Sequence, residues 1–158
     1  MKTATVHELK VELSHLPATQ LLSLCLRMAR FKKENKELLT YLLFEAHDEQ
    51  GYIENVKSQI DAQFAEIPGN NNLYLVKKSL RKILRSTNKY IRYTGEKTTE
   101  IQLLLYFCTR LRQSGIPLGR SVALTNLYET QVKKINKILP LLHEDLQYDF
   151  RKEIERLT

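Results

Sequence analysis

At 158 residues the chain can bury a core without a metal or disulfide, because a domain of about 150 residues hides roughly 68–70% of the surface its unfolded form exposes. Hydrophobic residues make up 42% and charged residues 27%, while Gly and Pro number 5 and 4, too few for the turns of an all-β sandwich. Lys and Arg total 25 against 18 Asp and Glu, a net charge of +7, and no run approaches the roughly 18–20 apolar positions of a membrane span.

The residues that dominate the chain, Leu, Lys, Glu, Arg and Gln, lose little rotamer freedom in a helix, and apolar positions recur at helical spacing throughout. The expectation is an all-α fold of seven or eight helices joined by short connections. They would pack as antiparallel αα-hairpins, either a multi-helix bundle or a short α-superhelix. Thr5 and Glu8 have the spacing of a capping box and open a first helix to Ser14. Pro17 suits the first turn of a second, 17–30, whose polar residues Gln20, Ser23, Arg27 and Arg30 form one narrow stripe. A helix apolar over most of its circumference must be surrounded, so this one is expected at the centre of the fold. A third helix, 33–47, follows, with Leu38, Leu39, Leu42, Leu43 and Ala46 inward. Gly51 is expected to break or bend the chain before a fourth with Ile53, Val56, Ile60 and Phe64 inward.

Pro68, Gly69, Asn70, Asn71 and Asn72 form the clearest loop. Residues 1–158 read as a single helical domain, and 68–72 is where it would subdivide. Helix five spans about 73–93, with Gly95 placed to end it in a left-handed cap. Helix six, 98–113, carries Ile101, Leu104, Leu105, Cys108 and Leu111 inward, and Gly115 and Pro117 close it. Ser121 can cap helix seven, Pro140 must kink or break it, and the remaining segment is amphipathic through Leu157.

The opening Glu8-Leu9-Lys10, then Leu13, Leu16, Gln20-Leu21-Leu22, Leu24 and Lys33-Glu34-Asn35-Lys36-Glu37, resembles the start of a group of uncharacterised bacterial all-helical proteins. The resemblance covers the first ~45 residues. It implies helical hairpins and carries no activity or functional residue with it.

Catalytic motifs are absent: no Gly-rich phosphate loop, GxSxG, HExxH or CxxC. Glu12 and His15 form a Glu-x-x-His with Glu8 one turn earlier, but di-iron bundles draw that motif from two helices and no second copy exists. His7, His47 and His143 stand apart. Cys25 and Cys108 lie in apolar runs and read as buried free thiols. No cofactor, metal or enzymatic role is expected. The charged N-terminus, 1–13, lacks the apolar stretch of a secretory signal, so the cytoplasm is the expected compartment.

One segment stands out. Lys77, Lys78, Arg81, Lys82, Arg85, Lys89 and Arg92 fall within 16 positions, with no acidic residue between Glu66 and Glu96. Without these seven, 18 basic residues face 18 acidic ones, so the whole net charge can be assigned to this helix. Lys77, Arg81, Arg85 and Lys89, with Arg92, follow i, i+4 spacing on one face, and Val76, Leu80, Ile83, Leu84 and Ile91 line the other. Tyr90 and Tyr93 sit among the charges, placed to stack on bases or to rim the core. Such a face is a solvated surface neutralised by neighbouring carboxylates, or a site for an acidic protein segment, nucleic acid or an anionic membrane surface. The sequence favours a non-catalytic helical protein-interaction module. The alternative is a nucleic-acid-binding accessory protein using helix 77–92, and an enzyme or metal protein ranks third.

Overall fold

The structure, a computed structural model, describes residues 1–69 and 72–157. Among these residues there are eight α-helices and no strand. They are α1 (Val6–Ser14), α2 (Ala18–Phe31), α3 (Lys33–Thr40), α4 (Glu49–Ala65), α5 (Leu73–Thr94), α6 (Lys97–Gln113), α7 (Val122–Ile138) and α8 (Glu144–Glu155). One turn of π-helix, Tyr41–Glu45, prolongs α3, and short 3₁₀ turns precede and follow α7 at Leu118–Arg120 and Leu139–Leu141. The chain divides into two compact units, residues 1–44 and 45–158. The loop at 68–72 thus lies inside the second unit, and its Asn70 and Asn71 fall outside the described residues.

Local chemistry explains most helix ends. The capping box forms: the Glu8 amide donates to Thr5 Oγ1 at 3.2 Å, and the Thr5 amide donates to Glu8 Oε2 at 2.7 Å. Gly51 does not break the chain. It sits in the first turn of α4, where its amide donates to Asp48 Oδ1 at 3.0 Å, and an added Cβ would lie 2.2 Å from Asp48 Oδ2. A glycine here lets the capping carboxylate fold over the helix start. Asn72 caps α5 by accepting from the Tyr74 and Leu75 amides. Gly95 ends α5 at φ 70°, as its left-handed cap position requires. Ser121 precedes α7 but makes no side-chain capping bond. Pro140 does end α7: the chain turns through Leu139–Leu141 and restarts at Glu144, with the Asp145 amide donating to His143 Nδ1.

In the second unit α4, α5 and α6 pack against one another in a bundle-like cluster, and α7 packs on α6. Helix α6 is the most deeply covered element. Beyond Ile101, Leu104, Leu105, Cys108 and Leu111, it buries Thr99, Glu100, Leu103 and Phe107. Phe107 meets Phe64 of α4 with ring centroids 5.6 Å apart. The end of the chain is held from two helices: Tyr128 Oη donates to the Leu157 carbonyl at 2.8 Å, and Arg112 donates to the same oxygen.

The first unit is built differently. Helix α2 packs along α3 as a hairpin joined at Lys32, yet neither helix contains a buried residue. The expectation that 17–30 is the central, most buried helix is therefore corrected, and so is the burial of Cys25, whose thiol is exposed. Apolarity around a helix states what it needs to have covered, and α3 covers only one side of α2. Leu22, Met28 and Phe31 remain 61%, 62% and 84% exposed. Cys108, fully buried, does match, and burial pushes its thiol up to about 12.

Two outcomes follow from these burials. Leu104→Ala should destabilise the second unit by about 2–5 kcal/mol in denaturant unfolding, as core truncations do, whereas Leu24→Ala should cost less than ~0.5 kcal/mol in the isolated chain. Alkylation of the native protein should label Cys25 and spare Cys108, with both labelled once unfolded, which mass spectrometry reads directly.

Candidate anionic-partner surface on helix α5

Helix α5 buries Val76, Leu80, Ile83, Leu84, Thr87 and Ile91 against its neighbours. The predicted apolar face is thus correct, with Thr87 added because its hydroxyl donates to the Ile83 carbonyl at 2.9 Å and needs no outside partner. The opposite face is basic and open: Lys78, Arg81, Lys82, Arg85 and Arg92 are exposed.

The structure redraws the centre of that face. An i, i+4 series advances about 40° around the helix at each step, so Lys77 and Lys89, the ends of the predicted line, fall on its flanks and are half-buried. Residues seven apart drift only about 20°, which makes Lys78, Arg85 and Arg92 the true ridge, with Arg81 and Lys82 on either side. The sequence supplied the residues; the helical geometry decides their order of prominence.

The tyrosines also sort themselves. Tyr90 and Tyr93 are half-buried and meet edge to face at 6.2 Å, with the Tyr90 carbonyl accepting from Tyr52 Oη of α4 at 3.1 Å. They rim the core, although Lys89 Nζ lies 4.8 Å from the Tyr90 ring centroid. Tyr74 was not singled out by the sequence. It is 69% exposed at the amino end of the basic face, with Lys77 Nζ 5.7 Å from its ring centroid. Its signal was there to be read, since Tyr74 and Arg81 are seven residues apart.

Neutralisation depends on where the carboxylates of the packed helices go. Asp61 of α4 accepts from Tyr106 Oη and Arg110 Nε, both at 2.6 Å. Burial, then the Asp61 carboxylate, pushes the Tyr106 hydroxyl up to about 12. Glu54 of α4 pairs with Lys57 at 2.8 Å. Glu100 of α6 is buried, and it is held by Lys97 of the same helix at 2.8 Å and by Lys134 of α7 at 3.0 Å. Burial raises the Glu100 pKa, but the two lysines together outweigh it and leave the carboxyl below its ordinary value of 4.5. Lys134 also donates to the Asn88 side chain of α5 at 3.3 Å. These acids are committed to cations outside α5. Among the described residues, no carboxylate lies within 4 Å of the charged groups of Lys78, Arg81, Lys82, Arg85 or Arg92.

The Glu-x-x-His pattern gathers no ligand set. His15 Nδ1 donates to the Val11 carbonyl at 2.7 Å, and among the described residues no group of three or more His, Cys, Asp or Glu could hold a metal. No described helix is long and apolar enough to cross a membrane. Comparison of the chain with protein-family models, with curated proteins and with solved structures finds no match.

Glu100 gives a pH signature. Its folded pKa lies below the unfolded one, so its contribution is full above about pH 4.5 and fades as pH falls through the lowered folded value. Glu100→Gln should cost about 1–3 kcal/mol at neutral pH, the scale of hydrogen bonds to a charged group. The variant should also show a shallower loss of stability on the acid side in pH-dependent urea unfolding.

Proposed function

We propose that this chain is a non-catalytic helical interaction module whose α5 face receives an acidic segment of a protein partner. The observation that carries this reading is the open, unneutralised ridge of Lys78, Arg85 and Arg92 flanked by Arg81 and Lys82. Like charges one turn apart repel by a few tenths of a kcal/mol per pair, and an anionic partner relieves that repulsion. Rim charges of this kind raise association rates and select partners more than they add affinity. A weak, salt-sensitive complex is therefore expected.

Nucleic acid is the second reading, and Tyr74 is what favours it. An exposed ring at one end of a basic ridge offers a stacking platform of the sort that binds unpaired bases, at about 1–3 kcal/mol per base.

One experiment separates the two. Fluorescence anisotropy at about 50 mM salt, with a Glu-rich peptide and a single-stranded oligonucleotide as probes, should show binding to the peptide that weakens steeply with added salt. Oligonucleotide binding that falls with a log–log slope of about 0.7 per neutralised phosphate and drops further in Tyr74→Ala supports the second reading. Lys78→Gln/Arg81→Gln/Arg85→Gln/Arg92→Gln should abolish binding to either probe while leaving the midpoint of unfolding unchanged or slightly raised. A loss of several kcal/mol in that variant, or no binding of either probe by the unaltered chain, overturns the proposal.

A further inference from the structure

Of the apolar surfaces of the first unit that lack cover, two match. Helices α2 and α3 enclose a groove of about 600 Å³ whose floor is Leu26, Leu39, Leu43 and Phe44. Its rim is basic: Arg30, Lys33 and Lys36. Lys33 shares Glu37 at 3.7 Å, while Arg30 and Lys36 have no carboxylate partner among the described residues. Leu43 and Phe44 are 62% and 67% exposed, so the floor is open to water.

Helix α1 is the converse. It has no buried residue. Val6, Leu9 and Leu13 fall on one stripe at i, i+3 and i+7, all exposed, with Glu12 on one flank and Lys10 on the other. A capping box closes its first turn. No α1 residue lines the groove, and the link to α2 is short and hydrogen-bonded: the His15 and Leu16 amides donate to the Glu12 and Leu13 carbonyls, and His15 Nδ1 to Val11. Helix α1, about 13 Å long, fits within the roughly 18 Å of the α3 side of the groove.

We propose that the chain self-associates by reciprocal exchange of α1: the apolar stripe of α1 from one copy fills the α2–α3 groove of a second copy, and Glu12 meets the basic rim. Each copy gives one helix and receives one, so the contact is two-fold and closes at a dimer. The fit is apolar stripe to apolar floor and Glu12 to basic rim, the helix-in-groove mode of recognition. Exchange of this kind covers the α1 stripe and the groove with groups already in the chain, and it uses residues other than those of the α5 ridge.

Sedimentation velocity on the full chain across the micromolar range tests this. The unaltered protein should be a reversible dimer. Leu9→Gln/Leu13→Gln should weaken association by about a hundredfold or more with unchanged circular dichroism, because both side chains are exposed in the single copy. Glu12→Lys alone and Arg30→Glu/Lys36→Glu alone should each weaken it about tenfold, one charge contact in each half of the dimer being reversed. Mixing these two variants should restore association, because each half then pairs opposite charges, and only exchange between copies can do this. A monomer at every concentration, a dimer indifferent to the α1 substitutions, or failure of the mixture to recover where a single chain carrying all three changes does recover, overturns the proposal. The last result would mean that α1 closes on the groove of its own chain.

Discussion

The second unit rests on covering α6. A helix with Ile101, Leu103, Leu104, Leu105, Phe107, Cys108 and Leu111 all buried is apolar over more than half of its circumference, and water must be excluded from that whole arc. Helices α4, α5 and α7 do this together, and each turns its own apolar stripe inward to do so. That demand fixes the rotation of α5 about its axis. With Val76, Leu80, Ile83 and Ile91 drawn to the core, the basic residues have only the solvent side left.

The same arrangement decides which charges are balanced. Glu100 is carried into the interface by the helix it belongs to, and a buried carboxylate requires partners. Lys97 and Lys134 supply them. Asp61 is engaged in the same way by Arg110 and Tyr106 at the α4–α6 seam. Carboxylates bound at these seams are withdrawn from the neutralisation of α5, so the charge of Lys78, Arg81, Lys82, Arg85 and Arg92 is displayed as a surface instead of being dispersed.

The first unit follows another logic. Its helices have the composition of core elements and the exposure of surface ones. Two helices in a hairpin can cover only the strip along which they touch, and the sides of Leu22, Met28 and Phe31 are left in water. A chain rarely keeps so much apolar surface in water without a partner for it.

Residue spacing alone determined the all-α class, the positions of the helices, the capping box at Thr5 and Glu8, the left-handed turn at Gly95, the break at Pro140 and the identity of the basic cluster. All of these depend on near neighbours in the chain, where propensity, capping and periodicity act directly. What lay beyond reach were the questions of which helix is enclosed and which charges are paired. The apolar runs of α2 and α6 look alike as sequence, yet α6 is covered by three helices and α2 by one, because coverage depends on distant segments that spacing does not encode. For the same reason the ridge of Lys78, Arg85 and Arg92, the exposure of Tyr74 and the commitment of Glu100 to Lys134, 34 residues away, emerge only once helices are set side by side and carboxylates find the cations that lie nearest in space.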